Sequence, residues 1–213
     1  MGAALGNGAS LVHLVPEGIL AAAVGVLMAF GAVPRLRGRA TVAAAAIGGL
    51  GAALLAAVLV PWPEAPLSLF HGMLVSDGML AVFRPMFVLT GLFAIVFAAA
   101  SDEVDSRDMA DAAVLVTASV LGMCLMAGAS DLLMAYLAME FVGILSYVLA
   151  GLRREDQRSS EAALKYVIYG GAASGVMLFG MSLLYGIAGD TSFAAVRAVL
   201  TGADGAVGAA GVG

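Results

Sequence analysis

The chain has 213 residues, 62% of them hydrophobic and only 12% charged, with a mean hydropathy of +1.03. A soluble domain of this length cannot bury so much apolar surface, so the composition excludes a water-soluble protein and points to a membrane one. The net charge of −5 comes largely from carboxylates between apolar runs, and no basic patch interleaved with aromatics suggests nucleic acid.

A helix needs about 20 apolar residues to cross the bilayer core. Runs of that order occupy residues 14–33, 40–60, 79–100, 109–129, 132–152 and 162–188. They are apolar all round, without the period-two alternation of a transmembrane barrel, and so predict an all-α, polytopic transmembrane helix bundle of six helices. No low-complexity linker divides the sequence, which reads as a single membrane domain over residues 1–213.

The first ten residues lack a charged leader and the first run has no clear cleavage site, so that run is expected to be a retained helix rather than a signal peptide. His13 lies near its outer end. "VPRLRGR" closes it with a proline and three arginines, and "PWPEAP" closes the second run with three prolines that cannot continue a helix. His71 falls in the loop that follows; neither histidine has carboxylate or cysteine neighbours at metal-ligand spacing. Asp77 is placed to cap the third helix. Arg84, just inside that helix, reads as an interfacial side chain snorkelling to the membrane surface or as a contact to a neighbouring subunit.

In the fourth run the lone Cys124 cannot form an internal disulfide and reads as core packing. The twelve methionines are expected to be flexible packing rather than ligands. The fifth run carries one carboxylate, Glu140, amid about twenty apolar residues. On a helical wheel Tyr136, Glu140, Gly143 and Tyr147 share a face, which should therefore meet protein. An ionised carboxylate at bilayer depth costs at least about 2.5 kcal/mol, so it is normally paired, protonated or set in a hydrated cavity. The plainer alternative is a neutral Glu140 hydrogen-bonded to Ser146 or to a neighbouring helix.

Ser159 or Ser160, followed by Glu161, is placed to start the sixth helix. One turn in stands Lys165, the only lysine, on a face with Glu161, Ile168, Tyr169 and Ala172. It either forms a surface pair with Glu161 or turns inward toward Glu140; the inward position is the expectation, because a buried lysine changes its charge readily where an arginine does not. Gly171 and Gly175 form a GxxxG, which permits close helix approach without specifying a function.

Lys and Arg set the orientation. The turns after the first, third and fifth helices hold Arg35, Arg37, Arg39, Arg107, Arg153, Arg154 and Arg158, against Arg197 in the opposite loops. The arginine-rich side is expected to be cytoplasmic, with both termini on the other side.

The stretch "MEFVGILSYVLAGLRREDQRSSEAALKYVIYGGAASGVMLFGMSLLYGIAGDTSF", residues 139–193, strongly resembles the antiporter-like subunit N of the proton-pumping NADH-quinone oxidoreductase, respiratory complex I. The resemblance rests on the mid-helix Glu140, the arginine-bearing loop, "RSSEAALKY" with Lys165, and "GGAASG", and weakens backward through "DGMLAVFRPMF". It implies a proton-translocating membrane subunit with inverted helix repeats, coupled to electron transfer from NADH to quinone. Glu140 and Lys165 are then the proton-translocating residues. NADH, FMN, iron–sulfur clusters and quinone are expected elsewhere in the complex, with no cofactor or metal in this chain. The implied partners are the other membrane subunits and the lipid bilayer, in the inner (plasma) membrane. The later lysines of such subunits have no counterpart before Gly213, and the small, apolar ending "TGADGAVGAAGVG" leads to the expectation of a fragment or split gene product. A subunit of a cation/proton antiporter or membrane-bound hydrogenase is the alternative, and a non-catalytic scaffold is the third reading.

Overall fold

The computed structural model describes residues 7–60, 65–101, 104–153 and 155–202, with side chains from Ser10 onward. Pro61 and Pro63 of the proline-rich turn, Arg154, and the terminal segment with Asp204 lie outside the described residues.

Helices α1 (Asn7–His13), α2 (Val15–Ala32) and α3 (Arg39–Leu59) come first, followed by a hairpin of β1 (Leu67–Leu69) and β2 (Leu74–Ser76). Then come α4 (Gly78–Ala100), α5 (Met109–Ala127), α6 (Leu132–Ala150), α7 (Gln157–Ala188) and α8 (Phe193–Leu200). Six of these, α2 to α7, are long and apolar enough to cross a membrane, at the six places the hydrophobic runs predict. The chain is a polytopic transmembrane helix bundle.

The core lies where α2, α3, α4 and α5 meet, around Leu20, Leu27, Leu50, Val88, Ile95 and Val120, all essentially inaccessible. Small residues set how closely these helices approach. A Cβ added to Gly49 of α3 would stand 2.7 Å from Ala23 Cβ of α2, and one added to Gly91 of α4 would stand 2.4 Å from Val120 Cγ2 of α5. Cys124 is buried in this core, as its apolar surroundings predict. Outside it, α6 packs on α5, and α7 packs on α6 with no buried residue of its own.

Capping explains the boundaries. Asp77 caps α4 by accepting from Leu80 N–H at 2.9 Å, the role its position predicts. The start of α7 corrects the expected one: Asp156, not Ser159 or Ser160, is the N-cap, accepting from Arg158 N–H at 2.9 Å. Ser159 instead donates across to the Ala150 carbonyl at 2.8 Å. The helix therefore begins before its apolar stretch, because polar residues such as Gln157 and Arg158 continue a helix beyond the membrane without cost.

The two ends of the bundle differ. At one, β1 and β2 pair antiparallel, Val75 N–H donates to Gly128 O at 2.7 Å, Leu74 bridges to Ala129, and Asp131 bridges to Ser192. The hairpin, residues 128–131 and residues 190–193 thus form one small extended platform, turned at its first corner through Gly72 at φ +93°. At the other end, Arg39 donates to the carbonyls of Ala98, at 2.9 Å, and Ser101, placing a cation on the C-terminal carbonyls of α4. There too a polar cleft is lined by Asp105, Arg107, Asp108, Arg153, Glu155 and Asp156, so the arginine-bearing turns share one end.

Candidate functional site

Asp131 opens α6. Its Oδ1 accepts from Leu133 N–H at 2.8 Å and Met134 N–H at 3.3 Å, while its Oδ2 accepts from Thr191 Oγ1 at 2.5 Å. These bonds satisfy the first N–H groups of α6 and tie its start to the turn that follows α7.

Glu140 is half-buried and faces α7, where Ser174 Oγ donates to its Oε1. Of the stripe read from the wheel, Glu140 and Tyr147 meet α7, while Phe141 and Val142 pack against Gly122 of α5. Gly143, one turn along, and Gly170 of α7 make the approach possible, since a Cβ on Gly170 would lie 1.9 Å from the Tyr147 hydroxyl and one on Gly143 would lie 3.2 Å from it. One turn further, the rings of Tyr147 and Tyr166 meet edge to face at 4.8 Å, and Ser146 Oγ lies 3.4 Å from Tyr166 OH while donating to its own Gly143 carbonyl. The partner of Glu140 is thus a hydroxyl of the neighbouring helix, not Ser146.

Lys165 does not turn inward. Its Nζ stands 2.5 Å from Glu161 Oε1, and both side chains are more than half exposed, at 66% and 58%. The reason is helical geometry: Lys165 and Ser174 are nine positions apart, two and a half turns at about 3.6 residues per turn, and so lie on opposite sides of α7. With Ser174 and Tyr166 committed to α6, the face bearing Glu161, Lys165, Ile168 and Tyr169 looks outward. Gly171 and Gly175 also have open space before them.

Arg84 is a second correction. It neither snorkels nor reaches the surface: its Nε donates to Glu17 Oε1 at 2.8 Å, its Nη2 to His13 O at 3.3 Å, and both side chains are nearly inaccessible. Glu17 went unnoticed in the sequence because an acid in the first turn of a helix is ordinary. The usable signal was that Glu17 in α2 and Arg84 in α4 are each the single charge within a spanning helix. His71 occupies the hairpin corner, and among the described residues no three His, Cys, Asp or Glu side chains gather at metal-binding distance.

Comparison with known proteins addresses the same region. The family described as "NADH:quinone oxidoreductase/Mrp antiporter, TM" matches residues 129–210. NADH-quinone oxidoreductase subunit N of Anaeromyxobacter sp. (strain Fw109-5) is 45% identical over 157 residues, 73% of this chain and 30% of that protein. Subunit N 2 of Sorangium cellulosum (strain So ce56) is 44% identical over 195 residues, 86% of this chain and 38% of its own length. The chain thus spans about a third of the curated relatives it matches. Among solved structures, a chain of respiratory complex I from Thermus thermophilus superposes with a TM-score of 0.67 at 28% identity, covering 84% of this chain and 38% of that one. A chain of an archaeal membrane-bound sulfane sulfur reductase shares the fold, with a TM-score of 0.73 at 19% identity over 88% of this chain and 39% of that one.

Proposed function

We propose, from this chain's kinship with the antiporter-like subunit N of NADH-quinone oxidoreductase, that it forms proton-translocating helices of such a complex, coupling electron transfer from NADH to quinone to proton pumping. The observation that carries the reading is Glu140, a carboxylate halfway along a spanning helix, held in the α6–α7 seam by Ser174. A hydroxyl donor stabilises the ionised form yet rotates to accept from the protonated one, so this site accommodates both charge states. Moving one charge against 100 mV costs about 2.3 kcal/mol.

Lys165 serves from the other side of α7. Its pairing with exposed Glu161 leaves the ammonium free to exchange that carboxylate for another brought up by a neighbouring membrane subunit, which makes the Glu161–Lys165 pair the charge that a neighbour switches. The redox groups belong to other subunits: one cysteine cannot supply the thiolates of an iron–sulfur cluster. The whole chain is one membrane domain in the inner membrane, with the arginine-bearing end in the cytoplasm and both termini opposite.

In the assembled complex, Glu140→Gln is expected to abolish most NADH-driven proton pumping and to slow coupled quinone reduction while leaving the subunit in place. Normal pumping by a fully assembled Glu140→Gln complex would sink the proposal. A cation/proton antiporter is the second reading, favoured by the matching family's description, which names both classes. Flavin and iron–sulfur absorbance co-purifying with the chain selects the dehydrogenase; their absence together with sodium-dependent proton exchange selects the antiporter.

A further inference from the structure

Helices α2 and α6 both pack on α5 and stand apart from each other. They leave a groove of about 400 Å³, with Ala110 and Val114 of α5 behind it, Leu27 and Gly31 of α2 on one wall, and Val148 and Leu152 on the other. These residues lie near the arginine-bearing end: in the last two turns of α2, the first two of α5, and the end of α6 with the residues just after it. Asp111, the one charged group in the lining, stands in the first turn of α5, where an acid suits the helix terminus, and it has a partner of its own.

The position of the groove in the bilayer decides what can fill it. Walls of leucine, valine, alanine and glycine offer water almost no hydrogen bonds, so water does not settle there, and an empty groove costs its walls their dispersion contacts. A neighbouring spanning helix needs a seam running the length of the bundle, whereas this lining ends after about two turns. Hydrocarbon entering from one leaflet meets both conditions.

Charge at the lip selects among lipids. The turn after α2, residues 33–38, carries Arg35 and Arg37 and no acid; both are exposed, and neither has an ion-pair partner among the described residues. Arg35 follows Ala32, the last residue of that wall, by three positions, at most about 11 Å of chain, and arginines at such a level extend to headgroup phosphates. On the α6 side, by contrast, Arg107 and Arg153 share their cleft with Asp105, Asp108, Glu155 and Asp156. The excess positive charge therefore lies beside α2.

We infer that the groove is a lipid site: it takes the headgroup-proximal carbons of one acyl chain of an anionic phospholipid, whose phosphate pairs with Arg35 and Arg37. The chain fills the gap between α2 and α6 and so completes the packing of that end of the bundle. This assignment is independent of the role of Glu140.

The test uses the complete complex in phosphatidylcholine nanodiscs doped with a trace of phosphatidylglycerol or of phosphatidylcholine, each carrying a photoactivatable diazirine near the head of one acyl chain. Mass spectrometry of the irradiated chain locates the label. The phosphatidylglycerol probe is expected to label residues 27–32 and 148–152 roughly tenfold more than the phosphatidylcholine probe, the scale that two arginines at a membrane surface confer. Arg35→Gln together with Arg37→Gln should make the two probes equal, and Val148→Phe, at a wall position 51% exposed, should lower labelling by both. Equal labelling of the wild-type groove by the two probes would overturn the inference, and so would labelling confined to other surfaces, the result expected if protein covers the groove. Should the arginine variant fail to assemble, the comparison of probes on the wild-type complex still decides.

Discussion

Taking away either member of the Glu17–Arg84 pair strands a charge inside the bundle. One oxygen of Glu17 already lacks a partner in the buried site, so the pair is held chiefly by the single 2.8 Å bond from Arg84 Nε. Breaking such a pair on one side costs about 3–5 kcal/mol, whereas replacing both by apolar groups of similar size is close to neutral. Arg84→Met is therefore expected to lower the amount of correctly assembled subunit sharply, and Glu17→Met together with Arg84→Met to restore much of it; immunoblotting of membranes checks both. At this scale the sequence was legible where a residue's local surroundings decide its fate. Glu140 stood out because nothing within its own helix explains it, and Asp77 because its neighbours define a cap. The Glu17–Arg84 pair was hidden because its partners are 67 positions apart, and the outward turn of Lys165 because it follows from which face of α7 meets α6.

Helices α2 and α3 show how little room the elements leave each other. Ala23 Cβ occupies the space beside Gly49, and neither atom sits at the end of a flexible chain that could swing aside. Gly49→Ala must push the two backbones apart, an overpacking expected to cost about 1–3 kcal/mol. Adding Ala23→Gly should return most of that stability, and thermal inactivation of the purified complex measures both. Existence and order of the six spans were readable from hydropathy alone, since a bilayer demands the same length from each. The short elements were not. The hairpin, α1 and α8 are too brief to carry a periodic signal, and the hairpin's strands exist because residues 128–130, more than fifty positions later, complete their hydrogen bonding.

For the molecule as a whole, the shared end of the arginine-bearing turns makes a topological statement that labelling can check. Cysteines introduced at Arg37 and Gln157 should react with a membrane-impermeant thiol reagent from the cytoplasmic side, and one at Ser68 from the outside. The inverse pattern would reverse the orientation, and Arg37 and Gln157 reacting from different sides would break the fold.

The extended platform also has a mechanical meaning. Ser130 N–H donates to Met73 O at 3.1 Å, Leu132 N–H to Thr191 O at 2.9 Å and Phe193 N–H to Ser130 O at 3.0 Å, so main-chain bonds lash the turns before α4, α6 and α8 together. At the far end of the bundle, the corresponding turns meet across a cleft lined by charged side chains. A bundle whose turns are joined by main-chain bonds at one rim and by side-chain bonds at the other moves like a clamped fork, with displacement growing from the main-chain-stitched rim to the tips. Spin labels at Arg37 and Gln157 should therefore change separation on turnover by more than labels at Ser68 and Ser130, and equal changes at both ends would show that the stitching does not hold.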